Sequence, residues 1–213
     1  MSTTATAYDW TKSRILGGIL PGGQFVTEGE VADAVRVSRT PVREAFLRLE
    51  TEGLLKLYPK RGALVVPVTA TEVRDVLDAR FLVEPWAIER VAATTRRSSV
   101  VDALAESVEH QRTALGVGDE TTFHLHDRAF HETLVAAAGN ALVTGFYASL
   151  RDRQLRMSAA ALGYDDRRAG QIIDEHEQIV AAIRSGDHTH GTTALRAHIA
   201  TTRKLLQAIP DEP

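Results

Sequence analysis

The sequence predicts a mainly α-helical protein in two parts, a winged helix-turn-helix domain over residues 1–68 and an all-α antiparallel helical bundle over residues 69–213. Three observations support this fold class. A short helical segment precedes a second helix with an arginine-rich start, and a hairpin pattern with a Pro/Gly turn follows it. Beyond residue 69, apolar residues recur at helical spacing and no segment alternates like a strand.

The first helix of the pair is predicted to begin after Thr27, which is a suitable N-cap residue. Its inward-facing residues are Val31, Ala32 and Val35. Arg36 then lies in the turn, and the second helix is expected to begin near Ser38. The two helices together match the helix-turn-helix pattern.

The second helix has separate apolar and polar faces. Pro41 falls in the first turn, where the missing backbone N–H has no intrahelical partner to lose. The predicted buried face consists of Val42, Ala45, Phe46 and Leu49. Arg39, Thr40 and Arg43 lie off that face, near the helix start. This is the end of a recognition helix that reaches base edges in the major groove, where arginine can contact guanine with two hydrogen bonds.

A basic hairpin is predicted directly after this helix. Gly53 ends the helix, and residues 54–58 and 63–66 read as two short strands around a turn that contains Lys60, Arg61 and Gly62. The hairpin corresponds to the wing of a winged helix, with two cations at its tip. An ordinary amphipathic helix followed by a hairpin with solvated arginines is the alternative. The order of four features argues against it, namely the first helix, the arginine-rich start of the second helix, the Gly stop and the basic hairpin tip.

Composition and charge agree with this division. The net charge is −3, but residues 1–68 carry nine Lys/Arg against seven Asp/Glu, whereas residues 69–213 carry sixteen against twenty-one. Basic charge is therefore concentrated where nucleic acid is expected to bind. The chain has no cysteine, which excludes disulfides and thiolate metal sites and agrees with a reducing compartment. No apolar run approaches membrane-spanning length, so we expect a soluble cytoplasmic protein without a membrane partner.

A candidate metal site lies within the predicted bundle. Asp127 and His131 are four residues apart and share one helical face, while His176 and His198 lie on the apolar stripes of two later helices. One carboxylate and three imidazoles suit Zn, Ni, Mn, Fe or Co without singling out one of them. The alternative is that each histidine is an ordinary core or surface residue.

Two arginines are candidate ligands for an anionic effector. Arg80 and Arg153 each lie in register with apolar residues of their helices and are expected to point into the bundle, where they could hold a carboxylate. Ordinary ion pairing or partial burial of their aliphatic stems is the alternative.

The segment from residue 15 to residue 68, which includes PGGQFVTEGEVADAVRVSRTPVREAFLRLETEGLLKLYPKRGALV, resembles the N-terminal domain of GntR-type transcriptional regulators. The resemblance implies that Ser38, Arg39 and Arg43 contact operator DNA, together with the wing tip residues Lys60, Arg61 and Gly62. Some relatives carry a basic residue at the position of Gly29, so any base contact from that position is absent here.

Four later segments resemble the FCD-type ligand-binding domain of the FadR subfamily. They are DARFLVEPWAIERVAA, HDRAFHETLVAAAGN, DEHEQIVAAIRSGD and ALRAHIATTRKLL. In metal-containing members the ligands are an Asp, the His one turn later and two later His. The resemblance places these ligands on Asp127, His131, His176 and His198.

Together these features predict a ligand-responsive DNA-binding transcriptional regulator, and a repressor in particular, rather than an enzyme. We expect a homodimer that binds double-stranded operator DNA with an imperfect palindrome and is released by a small carboxylate metabolite. A metal-sensing regulator and a metal-dependent enzyme are the alternatives. An Asp/His metal site can activate water, although the sequence offers no convincing pair of nucleophile and general base.

Overall fold

The computed structural model describes residues 2–160 and 166–206. Contacts within it divide the chain into two compact units. The first is built mainly from Met1–Ala70, and the second from Thr71–Gln154 together with the described residues after 165. The mainly α-helical fold predicted from the sequence is confirmed.

The first unit combines a helical core with a small sheet. In its described residues the elements are α1 (Thr3–Leu16), β1 (Phe25–Val26), α2 (Glu28–Val35), α3 (Arg39–Thr51), β2 (Leu55–Tyr58) and β3 (Gly62–Val65). The antiparallel sheet has the strand order β1-β3-β2. Register pairs Leu55 with Val65 and Tyr58 with Gly62, so the predicted hairpin is present with its turn at residues 59–61.

Helix α1 was not predicted from the sequence. It packs against α2 and α3 through Ala7, Tyr8 and Ile15, all of which are buried. Thr11 on the same face is also fully buried and donates its hydroxyl to the carbonyl of Ala7. The helix therefore completes the hydrophobic core under the helix-turn-helix.

The helix-turn-helix is set by local sequence signals. Thr27 and Glu30 form a complete capping box at the start of α2. Arg36 ends this helix in the left-handed conformation, with φ 56° and ψ 48°, and so redirects the chain into α3. The four apolar residues predicted for the inner face of α3 are all buried. A glycine in the left-handed region, Gly53 at φ 73°, follows its C-terminus.

Gly62 is required by the hairpin itself. Its φ is 95°, and a Cβ at this position would lie 2.6 Å from the carbonyl oxygen of Val26 on the neighbouring strand. We expect Gly62→Ala to destabilise the first unit by about 2 kcal/mol or more, because backbone strain and a clash with backbone add.

Gly53→Ala is the matched control, since its φ is also positive but its Cβ would meet nothing within 4 Å. Urea unfolding followed by Trp10 fluorescence, in a Trp86→Phe background, measures both. Equal losses would contradict the role of the clash.

The described residues of the second unit form helices and their connecting turns, without a strand. From residue 70 onward the described helices are α4 (Ala70–Ala92), α5 (Arg97–Gly116), α6 (Glu120–Ala137), α7 (Ala141–Ala160), α8 (Asp166–Ser185) and α9 (His188–Leu206). Helix α5 packs against α6 and α8, and α8 packs against α9. Helix α4 continues through Pro85. The sequence pattern of this last helix predicts an end near Ile209, which lies outside the described residues.

None of the helices in the described part of the chain is both long enough and apolar enough to span a membrane.

Candidate functional sites

The start of α3 presents two unpaired arginines to solvent. Arg39 and Arg43 are exposed and lie four residues apart, on the side of the helix opposite to its buried face. Within the described residues neither guanidinium has an ion-pair or hydrogen-bond partner. Both side chains are therefore available for an external acceptor such as a base edge or a phosphate.

Ser38 occupies the N-cap position of α3, but its side chain makes no capping hydrogen bond within the described structure. This contrasts with the complete capping box of α2. The first-turn N–H groups of α3 therefore lack a side-chain acceptor. The positive end of the helix dipole adds to them, and together these groups favour an anion at this position.

A cleft lies between the start of α3 and the wing, with a volume of about 590 Å³. Its lining includes Arg39 and Arg43 from α3 and Lys60 and Arg61 from the wing turn. Gly29 lies on the α2 side, where a Cβ would be 3.4 Å from the Arg39 guanidinium. A methyl group at this position would therefore make only an ordinary van der Waals contact with Arg39. Five of the seven predicted DNA-binding residues consequently line this cleft, namely Arg39, Arg43, Lys60, Arg61 and Gly62. Ser38 and Thr40 flank Arg39 in the sequence but are not among the lining residues.

The two wing cations differ in their surroundings. The Arg61 guanidinium lies 4.5 Å from the ring centroid of Phe25, and Phe25 makes an edge contact with Tyr58 at 5.6 Å. Lys60 is exposed at the turn with φ 64°. Stacking on an aromatic ring limits the freedom of Arg61, whereas Lys60 extends from the hairpin tip.

Three buried histidines from three helices meet in the second unit. His131 on α6, His176 on α8 and His198 on α9 are each at most 1% exposed. One ring nitrogen of each lies within 4.8 Å of those of the other two, as a metal ion would require. The Nε2 atoms of His131 and His176 are only 3.3 Å apart.

Asp127 lies at the edge of this cluster, one turn before His131. Its Oδ1 is 3.8 Å from Nε2 of His176, and its side chain is 26% exposed. The structure thus brings together all four residues that the sequence suggested as ligands. Asp127 differs from the histidines in facing solvent in part.

Two of the histidines have a hydrogen-bond acceptor at Nδ1. Gln111 Oε1 lies 3.0 Å from Nδ1 of His176, and the amide nitrogen of Gln111 donates to the carbonyl of His126, which fixes the amide orientation. Glu175 Oε2 lies 2.7 Å from Nδ1 of His198. Although burial by itself raises the pKa of Glu175, hydrogen bonds from His198 and Arg168 lower it, so the carboxylate is ionised.

The third histidine is fixed from the other side of its ring. Arg80 Nη2 lies 3.1 Å from Nε2 of His131. Arginine is only a donor, so this Nε2 carries a lone pair and the ring proton is on Nδ1. Glu84 Oε2 lies 2.9 Å from that Nδ1, in an ion-pair contact that lacks hydrogen-bond geometry.

Each of the three rings therefore carries its lone pair on Nε2. In each ring the proton is on Nδ1, because Nδ1 of His176 and His198 faces an acceptor and Nε2 of His131 faces a donor. Two lone pairs 3.3 Å apart repel each other unless a cation lies between them. With nitrogen and oxygen donors and no sulfur, this set fits a divalent metal ion. Such outer hydrogen bonds are typical of metal-binding histidines.

The protonation states suit metal binding. Burial lowers the pKa of His176 well below its usual value, and the neighbouring His198 and His131 lower it further. Burial also lowers the pKa of His198, although Glu175 opposes the shift. These imidazoles are neutral at pH 7, so a metal ion does not have to displace protons from them.

Arg80 and Glu84 form a buried ion pair beside the histidines. Arg80 Nε donates to Glu84 Oε1 at 2.5 Å, and Tyr147 donates its hydroxyl to the same oxygen at 2.7 Å. Burial alone raises the pKa of Glu84, but Arg80 and His131 hold it far below its ordinary value. Arg80 is thus a permanent cation at the cluster. Its side chain is buried, in agreement with the predicted inward orientation.

The predicted inward orientation of Arg153 is wrong. Its side chain is 52% exposed and lies 3.7 Å from Glu72. Arg153 follows Phe146 by two helical turns and shares its stripe, and Phe146 is itself half exposed. Apolar neighbours at helical spacing therefore marked a face of α7 that is exposed in this chain.

Sequence reasoning missed four residues that surround the histidines, namely Glu84, Gln111, Tyr147 and Glu175. A signal existed for Glu84, since it follows Arg80 by one turn on a stripe of buried apolar residues. Gln111 likewise follows Ser107 and Val108 on the inner face of α5. Polar residues at core positions of a helix indicated partners inside the bundle.

Two family models match the chain. The model described as bacterial regulatory proteins, gntR family, covers residues 3–65. The model described as the FCD domain covers residues 75–201, which is more than half of the chain. A regulator from the unstable DNA locus of Streptomyces ambofaciens is 30% identical over 84% of this chain and 75% of its own length. The gluconate operon transcriptional repressor of Bacillus licheniformis is 28% identical over 83% and 73%, respectively.

Solved structures agree in fold. A putative GntR transcriptional regulator from Rhodococcus sp. RHA1 has a TM-score of 0.84 and 21% identity, covering 98% of this chain and 99% of its own. The McbR/YncC protein of E. coli has a TM-score of 0.79 and 20% identity, covering 97% of each chain. FCD domains often bind metal, GntR regulators bind operator DNA and typically dimerise, and the curated relatives are regulators rather than enzymes. The chain is a DNA-binding transcriptional regulator of the GntR family, with an N-terminal helix-turn-helix domain and a C-terminal FCD ligand-binding domain.

Proposed function

We propose that this regulator is a metal-containing repressor whose FCD domain binds a divalent ion and, with it, a small organic acid. The observation that carries the proposal is the cluster of three buried histidines from three helices, with Asp127 at its edge. Binding of the acid would weaken operator binding and relieve repression.

The first unit would read the operator. Arg39 and Arg43 would contact bases, Ser38, Thr40 and the first-turn amides of α3 would hold phosphate, and the wing turn would contact the adjacent groove. Each copy of a homodimer would read one half of an imperfect palindrome, because a two-fold protein matches a two-fold site. Support comes from the exposure and lack of partners of both arginines within the described residues.

The effector would bind beside the metal. One carboxylate and three neutral imidazoles leave a divalent ion with net positive charge, which favours an anionic oxygen ligand. Arg80 adds a second cation beside the same histidines, and a guanidinium suits a carboxylate group. Arg153 lies at an exposed position, so its proposed effector contact depends on a rearrangement of its side chain.

Metal content is the first test of this proposal. Protein purified without a metal-affinity tag and analysed by elemental mass spectrometry should hold about one divalent ion per chain. The ion should disappear in His176→Ala, His198→Ala protein. Wild-type protein that stays metal-free even after reconstitution would refute the metal site.

Operator release is the test of the effector. Metal-loaded protein bound to its operator is titrated with gluconate, citrate and acetate, and gluconate is chosen because curated relatives repress a gluconate operon. Release by one of these acids at a concentration where an uncharged sugar has no effect supports the proposal. If metal alone controls operator binding and no organic acid in a wider panel changes it, the protein is a metal sensor instead.

Gln111 provides a test of the outer hydrogen bonds. Gln111→Leu removes the acceptor that orients His176, so we expect metal affinity to fall about 10–100-fold, as for other outer partners of histidine ligands. Chelator competition measures the affinity. Gln178→Leu on the exposed side of α8 is the control. Unchanged affinity in Gln111→Leu would show that packing alone holds the ring.

A further inference from the structure

The contact between Arg80 and His131 places a cationic donor at Nε2 of His131, the atom that a metal ion would bind. We propose that Arg80 and the metal compete for the Nε2 lone pair of His131, so that metal binding must break the Arg80–His131 hydrogen bond. The inference rests on the proposed metal site and adds a determinant of its affinity.

The competition follows from the chemistry of the two groups. Arginine has five N–H donors and no acceptor, so Nη2 at 3.1 Å donates to Nε2. A neutral imidazole has one lone pair in the plane of its ring, on the nitrogen that lacks the proton. That lone pair cannot accept from Arg80 and bind a metal ion together. Within the described residues, Nε2 of His176 and of His198 receives no hydrogen bond from an arginine or lysine, so the effect is specific to His131.

Arg80 cannot simply move to water. It is 6% exposed and its Nε is bonded to Glu84, which is fully buried and also accepts from Tyr147. Glu84 therefore holds the guanidinium beside His131. A hydrogen bond to a charged group contributes about 1.5–3 kcal/mol, which corresponds to roughly 10–150-fold in metal affinity.

Displacement would also prepare the anion site. Once metal binds His131, the Nη2 group of Arg80 loses that acceptor and keeps only its long hydrogen bond to Glu84 Oε2, at 3.5 Å, while Nε stays bonded to Glu84 Oε1. Loss of an acceptor by a buried N–H group is costly, and a carboxylate oxygen of the effector would replace it. Arg80 thus makes its contact with the effector only after metal has bound.

The test compares metal affinities at fixed pH by chelator competition with Zn²⁺. Arg80→Met removes the donor and keeps side-chain length, so we expect Zn²⁺ to bind at least about tenfold more tightly than to wild type. Equal or weaker binding by a folded variant overturns the competition and leaves the proposed metal site intact. Wild-type protein that binds no Zn²⁺ overturns the metal site itself.

Two further comparisons keep the test decisive. If loss of the Glu84 partner prevents folding, Arg80→Met, Glu84→Gln is compared with Glu84→Gln alone, and the same gain in Zn²⁺ affinity is expected.

Arg168→Gln controls for charge, because Arg168 lowers the pKa of His176 electrostatically but contacts Glu175 rather than a ring lone pair. We expect a clearly smaller tightening than in Arg80→Met. An equal gain in Arg168→Gln would attribute the effect to charge and overturn the competition.

Discussion

Operator binding should fall by at least about 100-fold when Arg39 and Arg43 are both replaced by alanine. Each bidentate contact between arginine and guanine contributes about 1–3 kcal/mol of discrimination, and both side chains are exposed without partners in the described structure. The operator is first obtained by selecting genomic fragments with wild-type protein. Fluorescence anisotropy then gives the affinity for this site and for unrelated DNA.

The contrast between specific and nonspecific DNA is the sharper readout. Because base contacts carry sequence information, the double variant should lose much more affinity for the operator than for unrelated DNA. Arg48→Ala is the matched control, since Arg48 lies at the other end of α3 and stacks on Tyr8. It should retain operator binding. Full operator affinity in the folded double variant would refute the assigned DNA-binding face.

Metal should raise the thermal stability of the second unit strongly, and His176→Gln should remove most of that gain. An ion at about 1,000 times its dissociation constant stabilises the folded state by about 4 kcal/mol, which corresponds to roughly 10–20 °C in Tm. If replacing His176 weakens metal binding about 100-fold, the metal would stabilise the folded state by only about 1.4 kcal/mol. Differential scanning fluorimetry of chelator-treated protein, with and without Zn²⁺, measures the shift.

The control for this experiment is His190→Gln, which alters an exposed histidine outside the cluster. Its Zn²⁺-induced shift should match that of wild type. Equal shifts in wild type and His176→Gln would mean that the ion binds elsewhere. For wild-type protein, adding Zn²⁺ in excess of the chelator should restore the Tm measured before chelator treatment.

The elements with strong local signals were predictable from the sequence. The caps, the left-handed turn residue and the hairpin glycine of the first unit act within a few residues, and periodicity revealed the helices of the second. Helix α1 was missed because Thr11, a polar residue, lies at the centre of its buried face. Strand β1 has only two residues, which is too short for an alternating pattern.

The histidine cluster was predictable only in part. Residue type and helical spacing nominated Asp127, His131, His176 and His198, together with the family resemblance. The groups that orient the rings were not predictable, because Glu84, Gln111 and Glu175 come from three helices and their contacts are tertiary. Arg153 shows a second limit of the sequence. Apolar residues at helical spacing mark one face of a helix, but they do not reveal whether another element packs against that face.

Because the start of α3 has no side-chain cap, bound DNA would complete the first turn of this helix. With the Ser38 hydroxyl making no capping bond, an operator phosphate would take the place of the missing N-cap acceptor. The first turn of the recognition helix would then fray in free protein and become ordered on the operator. Amide hydrogen exchange at Thr40 and Val42 should accordingly slow on specific DNA, so that reading the sequence and completing the helix become one event.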